Sequence, residues 1–308
     1  MATNKRFQNK FILLNLFILV LFSSCSLLET DPVKVPAYIY VPRLAFSTTN
    51  NSTTVEGEAS SKFVDVWIYD SGNLLGNIGL PALIPDQKTG LTEIEFDAGI
   101  MKSGQDESRI PYPFIARQTF PNHQLSPNKT DTFYPVFKYM PQTKFEMNEG
   151  FEKLGAGVQF TYNSNNIAGD TILKVSDSTE INSTIKVGKY CGKILMAPGS
   201  QFFEVLTNEF QKEILQPVIG TPVYLELDYK SDVPINIIMW SRDQNGSVSV
   251  LPQLTTNPTS SWNKVYVCLD QDIISATPGT AFKISFRIFK DIGYQPNIFI
   301  DNIKLLHF

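Results

Sequence analysis

The chain has 308 residues, and 26 Lys and Arg stand against 30 Asp and Glu, which gives a formal net charge of −4. An acidic chain does not track along phosphate backbones, so this balance argues against nucleic acid as a partner. The length indicates two domains. Short runs rich in Ile, Val, Thr, Tyr and Phe favour strands.

The N-terminal segment has the composition of an export signal. Its first ten residues carry three cations and no acid, and residues 11–22 form an apolar run broken only by Asn15. A transmembrane helix needs roughly 20 apolar residues, so this run is too short to span a bilayer. Two serines then precede Cys25, as a signal peptidase requires. The pattern predicts a cleaved leader.

Residues 21–25 (LFSSC) resemble the lipobox of bacterial lipoproteins, in which the cysteine is lipidated on sulfur and becomes the first mature residue. The resemblance implies a signal peptide at 1–24, acylation of Cys25 (palmitate included), a lipidated tether at 25–35 and attachment to the outer membrane. Which leaflet carries the protein stays open, as does an ordinary secretory signal with an incidental cysteine. Loss of the leader lowers the net charge to −7, so acyl chains must supply the anchoring.

Residues 36–145 contain short strand candidates separated by turn-rich loops, at 37–41, 63–69, 91–96, 112–117 and 133–139. In residues 63–69 the side chains alternate, with Val64, Val66 and Ile68 on one face. Strands of this length and spacing predict a small immunoglobulin-like sandwich. This is an architectural expectation and implies no activity.

Residues 146–308 carry three motifs in order: NEGFE at 148–152, WNKV at 262–265 and IDNI at 300–303. This order resembles the carbohydrate-binding-module and galactose-binding-like jelly rolls. The resemblance implies a C-terminal β-jelly-roll sandwich. Alternation gives independent support, because Val223, Leu225, Leu227 and Tyr229 share one face and Phe282, Ile284, Phe286 and Ile288 repeat the pattern. The residues that alternate with them along each strand are expected to face water.

The strand pattern at 235–242 places Trp240 on the outward face, together with Asn236 and Arg242. Tyr224 lies on the face of its own strand that is expected to be wet. An aromatic plane beside hydrogen-bonding groups is what a sugar-binding surface needs. The sequence therefore predicts ligand contacts at Trp240, Arg242, Asn236 and Tyr224. The alternative, in which Trp240 fills the sandwich, stays open because large aromatics are usually buried.

Asp301 shares an expected strand face with Phe299, Ile303 and Leu305, where a lone carboxylate is costly. It needs a hydrogen-bond donor or a cation. In the jelly rolls that this segment resembles, an acid of the last strand and an acid of the opening segment often hold a structural calcium. Glu152 and Asp301 match those positions. A hydrogen-bonded Asp301 without metal is the alternative.

Catalytic patterns are poorly represented. The chain has two histidines, His123 and His307, and no H-E-x-x-H, C-x-x-C or G-x-S-x-G motif. We therefore expect no enzyme and no required cofactor. The expected function is glycan binding by an envelope lipoprotein. The alternative is a structural subunit that docks on another outer-membrane protein. Cys191 and Cys268 are expected to be unpaired, and residues 203–214 form either a helix or a strand and a loop.

Overall fold

The computed structural model describes residues 34–48, 55–153, 160–176, 188–216 and 218–308. The predicted signal peptide, Cys25 and most of the tether lie outside these ranges. Within them the chain is all-β, which confirms the predicted fold class: a small sandwich followed by a larger one. Among the described helices, none has the length and apolarity needed to cross a membrane.

The N-terminal unit is a sandwich of short strands. A five-stranded sheet has the order β4-β3-β6-β7, with β8 also on β6, and a three-stranded sheet has the order β5-β1-β9. A small pair joins β10 and β2. The strands are β1 (Ala37–Val41), β2 (Ala45–Phe46), β3 (Asp65–Asp70), β4 (Asn73–Gly79), β5 (Ala82–Asp86), β6 (Gly90–Met101), β7 (Arg109–Pro111), β8 (Gln118–Leu125), β9 (Thr130–Thr132) and β10 (Val136–Phe137).

One strand predicted for this unit, at 112–117, is wrong, and another, at 133–139, is too long. The chain leaves β7 at residue 111 and enters β8 at residue 118, so 112–117 is a connection and not a strand. Pro113 has no N–H for a ladder, and the neighbouring Phe114 is fully buried as core filling. The segment 133–139 is a strand only at 136–137, directly after Pro135.

The C-terminal unit has two six-stranded sheets. We call the sheet of order β13-β14-β22-β17-β20, with β11 on β22, the inner sheet. The sheet of order β12-β15-β21-β18-β19, with β16 on β21, is the outer sheet. The inner strands are β11 (Lys144–Glu149), β13 (Thr171–Val175), β14 (Cys191–Leu195), β17 (Tyr224–Ser231), β20 (Thr259–Cys268) and β22 (Ile298–His307).

The outer strands are β12 (Thr161–Tyr162), β15 (Phe202–Leu206), β16 (Phe210–Gln211), β18 (Ile235–Arg242), β19 (Val248–Thr255) and β21 (Ala281–Phe289). Two short helices, α1 (Lys212–Leu215) and α2 (Asp270–Ser275), complete the unit. Residues 203–214 are thus most of strand β15, a short loop, the two-residue strand β16 and the start of helix α1. Apolar side chains of both sheets form one core, including Leu225 and Leu227 of β17 and Phe286 of β21.

Strand β17 of the inner sheet is buried on both faces, which contradicts the wet face expected for it. Tyr224, Glu226 and Asp228 are at most 4% exposed. Tyr224 and Leu306 belong to the hydrophobic cluster of the N-terminal unit, because that unit covers this face. The predicted boundary between 36–145 and 146–308 stays a prediction, since this cluster draws side chains from both segments.

A bulge in β22 corrects the face predicted for Asp301. The pairing of β17 with β22 shifts register, with Glu226 opposite Lys304 but Asp228 opposite Asp301. Asn302 has a φ of 47° at this point. An extra residue reverses the alternation beyond it. Ile303 therefore lies in the core between the sheets, whereas Asp301 does not share its face.

Candidate functional site

The outward face of the outer sheet carries a row of polar and aromatic side chains. Strand β21 pairs with β15 on one side and β18 on the other. The registers place Arg287 opposite both Glu204 and Asn236, and Trp240 opposite Lys283. Since side chains alternate along a strand, all of these residues point away from the core.

Trp240 is partly exposed on this face and is not a member of the core between the sheets. Its indole Nε1 donates hydrogen bonds to Glu204 Oε1 at 3.3 Å and to Ser285 Oγ at 3.0 Å. These two acceptors, on β15 and β21, fix the orientation of the ring. A rigid, partly open aromatic plane is the result.

Arg287 lies between two aromatic rings of the same face. Its guanidinium carbon is 5.8 Å from the ring centroid of Phe202 and 5.8 Å from that of Trp240. Phe202 also contacts Phe289 edge-on at 5.7 Å, and Phe289 is 55% exposed. We call Phe202, Trp240, Arg287 and Phe289 the aromatic platform. Both distances are within the range in which a guanidinium is attracted to an aromatic ring.

Glu204 holds the platform from beneath. Its side chain is fully buried, and its carboxylate accepts hydrogen bonds from Ser285 at 2.7 Å, Arg287 at 3.0 Å and Asn163 at 2.6 Å. A buried carboxylate is tolerated when it is paired and fully hydrogen-bonded. The sequence prediction missed Glu204, although its alternation with the core residues Phe203 and Val205 places it outward.

The structure places the other three predicted ligand-contact residues in different environments. Arg242 is exposed on the same face and forms an ion pair of 2.5 Å with Glu209. Asn236 donates to the carbonyl of Arg287 at 3.2 Å and accepts from Thr255 at 2.8 Å, so it supports the face. Tyr224 lies on the inner sheet at 2% exposure, which removes it from any outward surface.

Glu152 and Asp301 are each engaged by backbone donors. Glu152 Oε1 accepts the amides of Lys189 at 2.6 Å and Tyr190 at 2.8 Å, and Asp301 Oδ1 accepts the amide of Asn302 at 2.8 Å. Calcium takes six to eight oxygens. The described ranges contain no group of three or more acidic, His or Cys side chains suited to a metal. These two residues alone do not make a calcium site, and calcium stays a prediction.

A charged network is buried where the two units meet. Lys264 Nζ lies 2.9 Å from Glu226 Oε2 and 3.2 Å from Asp228 Oδ1. From the N-terminal unit, Tyr112 donates to Glu226 at 2.6 Å, and the hydroxyl of Ser60 donates to Asp228. The charges are therefore satisfied only when both units are in place.

The pKa values of this network follow from burial and pairing. Burial alone would raise the pKa of Glu226, but the ammonium groups of Lys264 and Lys304 outweigh it and lower that pKa. Burial lowers the pKa of Lys304 to about 8, although Glu226 opposes the change. Desolvation and the nearby Glu226 carboxylate raise the pKa of Tyr112 well above its usual value.

Comparison with family models and with curated proteins gave no match for this chain. The CBM22-1 xylan-binding domain of Paenibacillus barcinonensis Xyn10C is a structural neighbour at 12% identity and a TM-score of 0.37, covering 53% of this chain and 94% of that domain. TmCBM61, solved with β-1,4-galactotriose, has 14% identity and a TM-score of 0.33, covering 52% and 95%.

A third neighbour comes from work on the promiscuous specificity of carbohydrate-binding modules of the β-sandwich superfamily. It has 13% identity and a TM-score of 0.39, and it covers 89% of this chain and 99% of that one. At these identities the likeness concerns the β-sandwich architecture alone. The chemistry of the site must be argued from its own residues.

Proposed function

We propose that this protein is a non-catalytic glycan-binding protein of the cell envelope, with the aromatic platform as its binding surface and Cys25 as its lipid anchor. The observation that carries the binding function is the indole of Trp240, held by Glu204 and Ser285 on a polar sheet face. The anchor is supported by the sequence pattern before Cys25.

The platform offers both kinds of contact that a sugar requires. The C–H face of a pyranose stacks on an aromatic ring, and the rings of Trp240 and Phe289 are partly open to solvent. Sugar hydroxyls need donors and acceptors, and Lys283 lies opposite Trp240 in the register while Arg242 is exposed nearby. Because the ring is fixed before binding, little side-chain entropy is lost.

The carboxylates beside the platform support binding without hydrolysis. Glycoside hydrolysis uses two carboxyl groups, one of which donates or abstracts a proton. Glu204 is buried and accepts bonds from Trp240, Ser285 and Arg287. Glu209 is paired with Arg242. Both carboxylates therefore bind neighbouring side chains of the outer sheet and stabilise its outward face.

Affinity electrophoresis in gels containing candidate polysaccharides tests this proposal. We expect Trp240→Ala to abolish the retardation that the unaltered chain shows, with the thermal unfolding midpoint lowered only slightly. Tyr134→Ala is the matched control, because Tyr134 is 61% exposed on the N-terminal unit. Retardation that is equal in the two variants would remove the platform as the binding surface.

The lipid anchor and the docking alternative are tested together. We expect the unaltered chain to fractionate with membranes and a Cys25→Ser chain to be released. Docking on another envelope protein stays a prediction, and it requires a partner that co-purifies in gentle detergent. A chain that purifies alone and still binds polysaccharide supports glycan binding as the function.

A further inference from the structure

A cleft of about 200 Å³ lies where the two units meet. Lys62, Val64, Met101 and Gly104 line it from the N-terminal unit. Residues 254–259, Tyr229 and residues 263–266 line it from the C-terminal unit. We call this space the junction cleft. Its volume equals that of about six or seven water molecules. This is smaller than the pockets that bind drug-sized ligands and is comparable with the volume of one sugar ring.

One wall of the junction cleft is a fixed chain of polar groups. Lys62 Nζ donates to Asn263 Oδ1 at 2.6 Å, and Asn263 Nδ2 donates to the hydroxyl of Tyr229 at 3.0 Å. That hydroxyl donates to the carbonyl of Asn257 at 3.1 Å. The wall therefore presents an amine, an amide and a phenol in set positions. Pre-formed polar groups of this kind orient a small ligand.

The charge of Lys62 is not balanced within the described ranges, where no carboxylate forms an ion pair with it. Lys264, which also lines the cleft, is by contrast bound by Glu226 and Asp228. The Lys62 side chain is exposed at the mouth of the cleft, and the protein around it still lowers its pKa through desolvation. An ammonium group with only a neutral acceptor attracts an anion, and the gain is larger where water is partly excluded.

The remaining lining matches the body of a sugar ring. Met101, Leu254 and Pro258 supply apolar surface, and Thr255 and Thr259 are among the polar residues of the lining. A sugar ring presents apolar C–H groups on its faces and hydroxyls around its rim. The cleft thus combines several hydrogen-bonding groups, an apolar patch and two lysines, of which Lys264 is paired with carboxylates and Lys62 forms no ion pair within the described ranges.

We propose that the junction cleft binds a single sugar residue bearing a carboxylate, with Lys62 pairing the carboxylate and Asn263 contacting the ring hydroxyls. This second site shares no residue with the aromatic platform. It does not depend on the platform binding glycan. The same residue offered as a free monosaccharide or at the end of a chain presents the same chemistry.

Titration calorimetry of the full chain in mild detergent tests the proposal with glucuronate, glucose and sulfate as separate probes. We expect glucuronate to bind at least tenfold more tightly than either glucose or sulfate. Lys62→Met should remove this preference. Lys138→Met, at an exposed lysine of the N-terminal unit, and Trp240→Ala should keep it. Galacturonate and oligogalacturonate are compared in the same way, and equal affinity per molecule supports recognition of a single acidic residue at a chain end.

The proposal is overturned if glucuronate does not bind, if glucose binds equally well, or if sulfate alone binds as tightly as glucuronate. A loss that is the same in Lys62→Met and Lys138→Met overturns it too. Leu254→Trp fills the cleft from the opposite side and is the second variant should Lys62→Met fold poorly. We expect it to abolish glucuronate binding, and retained binding contradicts the site.

Discussion

The hydroxyl of Tyr112 donates a hydrogen bond of 2.6 Å to the carboxylate of Glu226, which joins the N-terminal sandwich to strand β17 of the C-terminal sandwich. Both side chains are buried, at 3% and 1% exposure. Tyr139 donates to the same carboxylate at 3.0 Å. Removal of one unit would leave this charge without two of its donors, so the two sandwiches stabilise each other.

Tyr112→Phe removes one donor from the buried carboxylate of Glu226 while the ring remains. A hydrogen bond to a charged group contributes about 1.5–3 kcal/mol. We expect the free energy of unfolding to fall by about that amount in denaturant titrations. Tyr134→Phe, at an exposed tyrosine of the same unit, should have no effect. Equal values for the two variants would contradict the role of this bond.

Stability should rise between pH 8 and about 9.5 because of Lys304. Burial lowers the pKa of Lys304 to about 8 in the folded chain, whereas its ordinary value is 10.5. In this window the unfolded chain binds more protons, so raising the pH favours the folded state. Glu226, Asp228 and Lys264 face the same network. Above pH 10 the unfolded chain gains from tyrosine ionisation, and stability should fall again.

The measurement is the free energy of unfolding of the unaltered chain and of Lys304→Met at several pH values from 7 to 9.5. We expect the rise with pH to be steeper in the unaltered chain than in Lys304→Met, where the lowered pKa of Lys62 still favours a rise and the raised pKa of the Cys268 thiol opposes it. Lys138→Met is the control, since Lys138 is exposed and should keep the wild-type slope. A rise that is equally steep in Lys304→Met would assign the pH dependence to other groups.

Gly99→Ala should destabilise the N-terminal unit. A Cβ at this position would lie 1.5 Å from Asp65 Oδ1, which cannot be accommodated without displacing the buried carboxylate. Asp65 faces Arg109 at 3.5 Å, so its displacement also weakens an ion pair. Overpacking costs about 1–3 kcal/mol. Gly79→Ala, where the nearest atom is 4.0 Å away, should change the unfolding midpoint little.

Chelation tests the calcium prediction. Glu152 bonds to the amides of Lys189 and Tyr190, and this hydrogen bonding without metal predicts that EDTA leaves the thermal unfolding midpoint unmoved. A structural calcium at Glu152 and Asp301 would require the midpoint to fall with EDTA and to recover when calcium is added. Magnesium added in place of calcium is the control for ionic strength.

Alternation of apolar and polar residues predicts the orientation of side chains correctly where one face of a strand is exposed to solvent. It placed Phe282 and Phe286 in the core of β21 and Trp240 outward on β18. Alternation gave the wrong prediction for Tyr224, because the N-terminal unit covers the other face of β17. The sequence of β17 alone does not show that another unit packs on it. Alternation failed for Asp301 because a bulge at Asn302 reverses the faces, and a single residue of positive φ has no clear sequence signal.

The aromatic platform could be predicted only in part, because sequence alternation assigns residues to a face within one strand and not between strands. Trp240 and Arg242 could be assigned to one face from their spacing, but Glu204 lies on a strand 36 residues away that pairs through β21. Only the order of strands in the outer sheet brings them together. Sequence spacing within one strand cannot give that order.

Titration of the ¹⁵N-labelled chain with a retained polysaccharide, followed through its three tryptophan indole N–H signals, tests the central claim most directly. The signal of Trp240, assigned from its absence in Trp240→Phe, should shift in proportion to ligand bound. The signals of Trp67 and Trp262 should stay in place. Shifts confined to Trp67 or Trp262, or saturation of binding with the Trp240 signal unmoved, would contradict glycan binding at the aromatic platform.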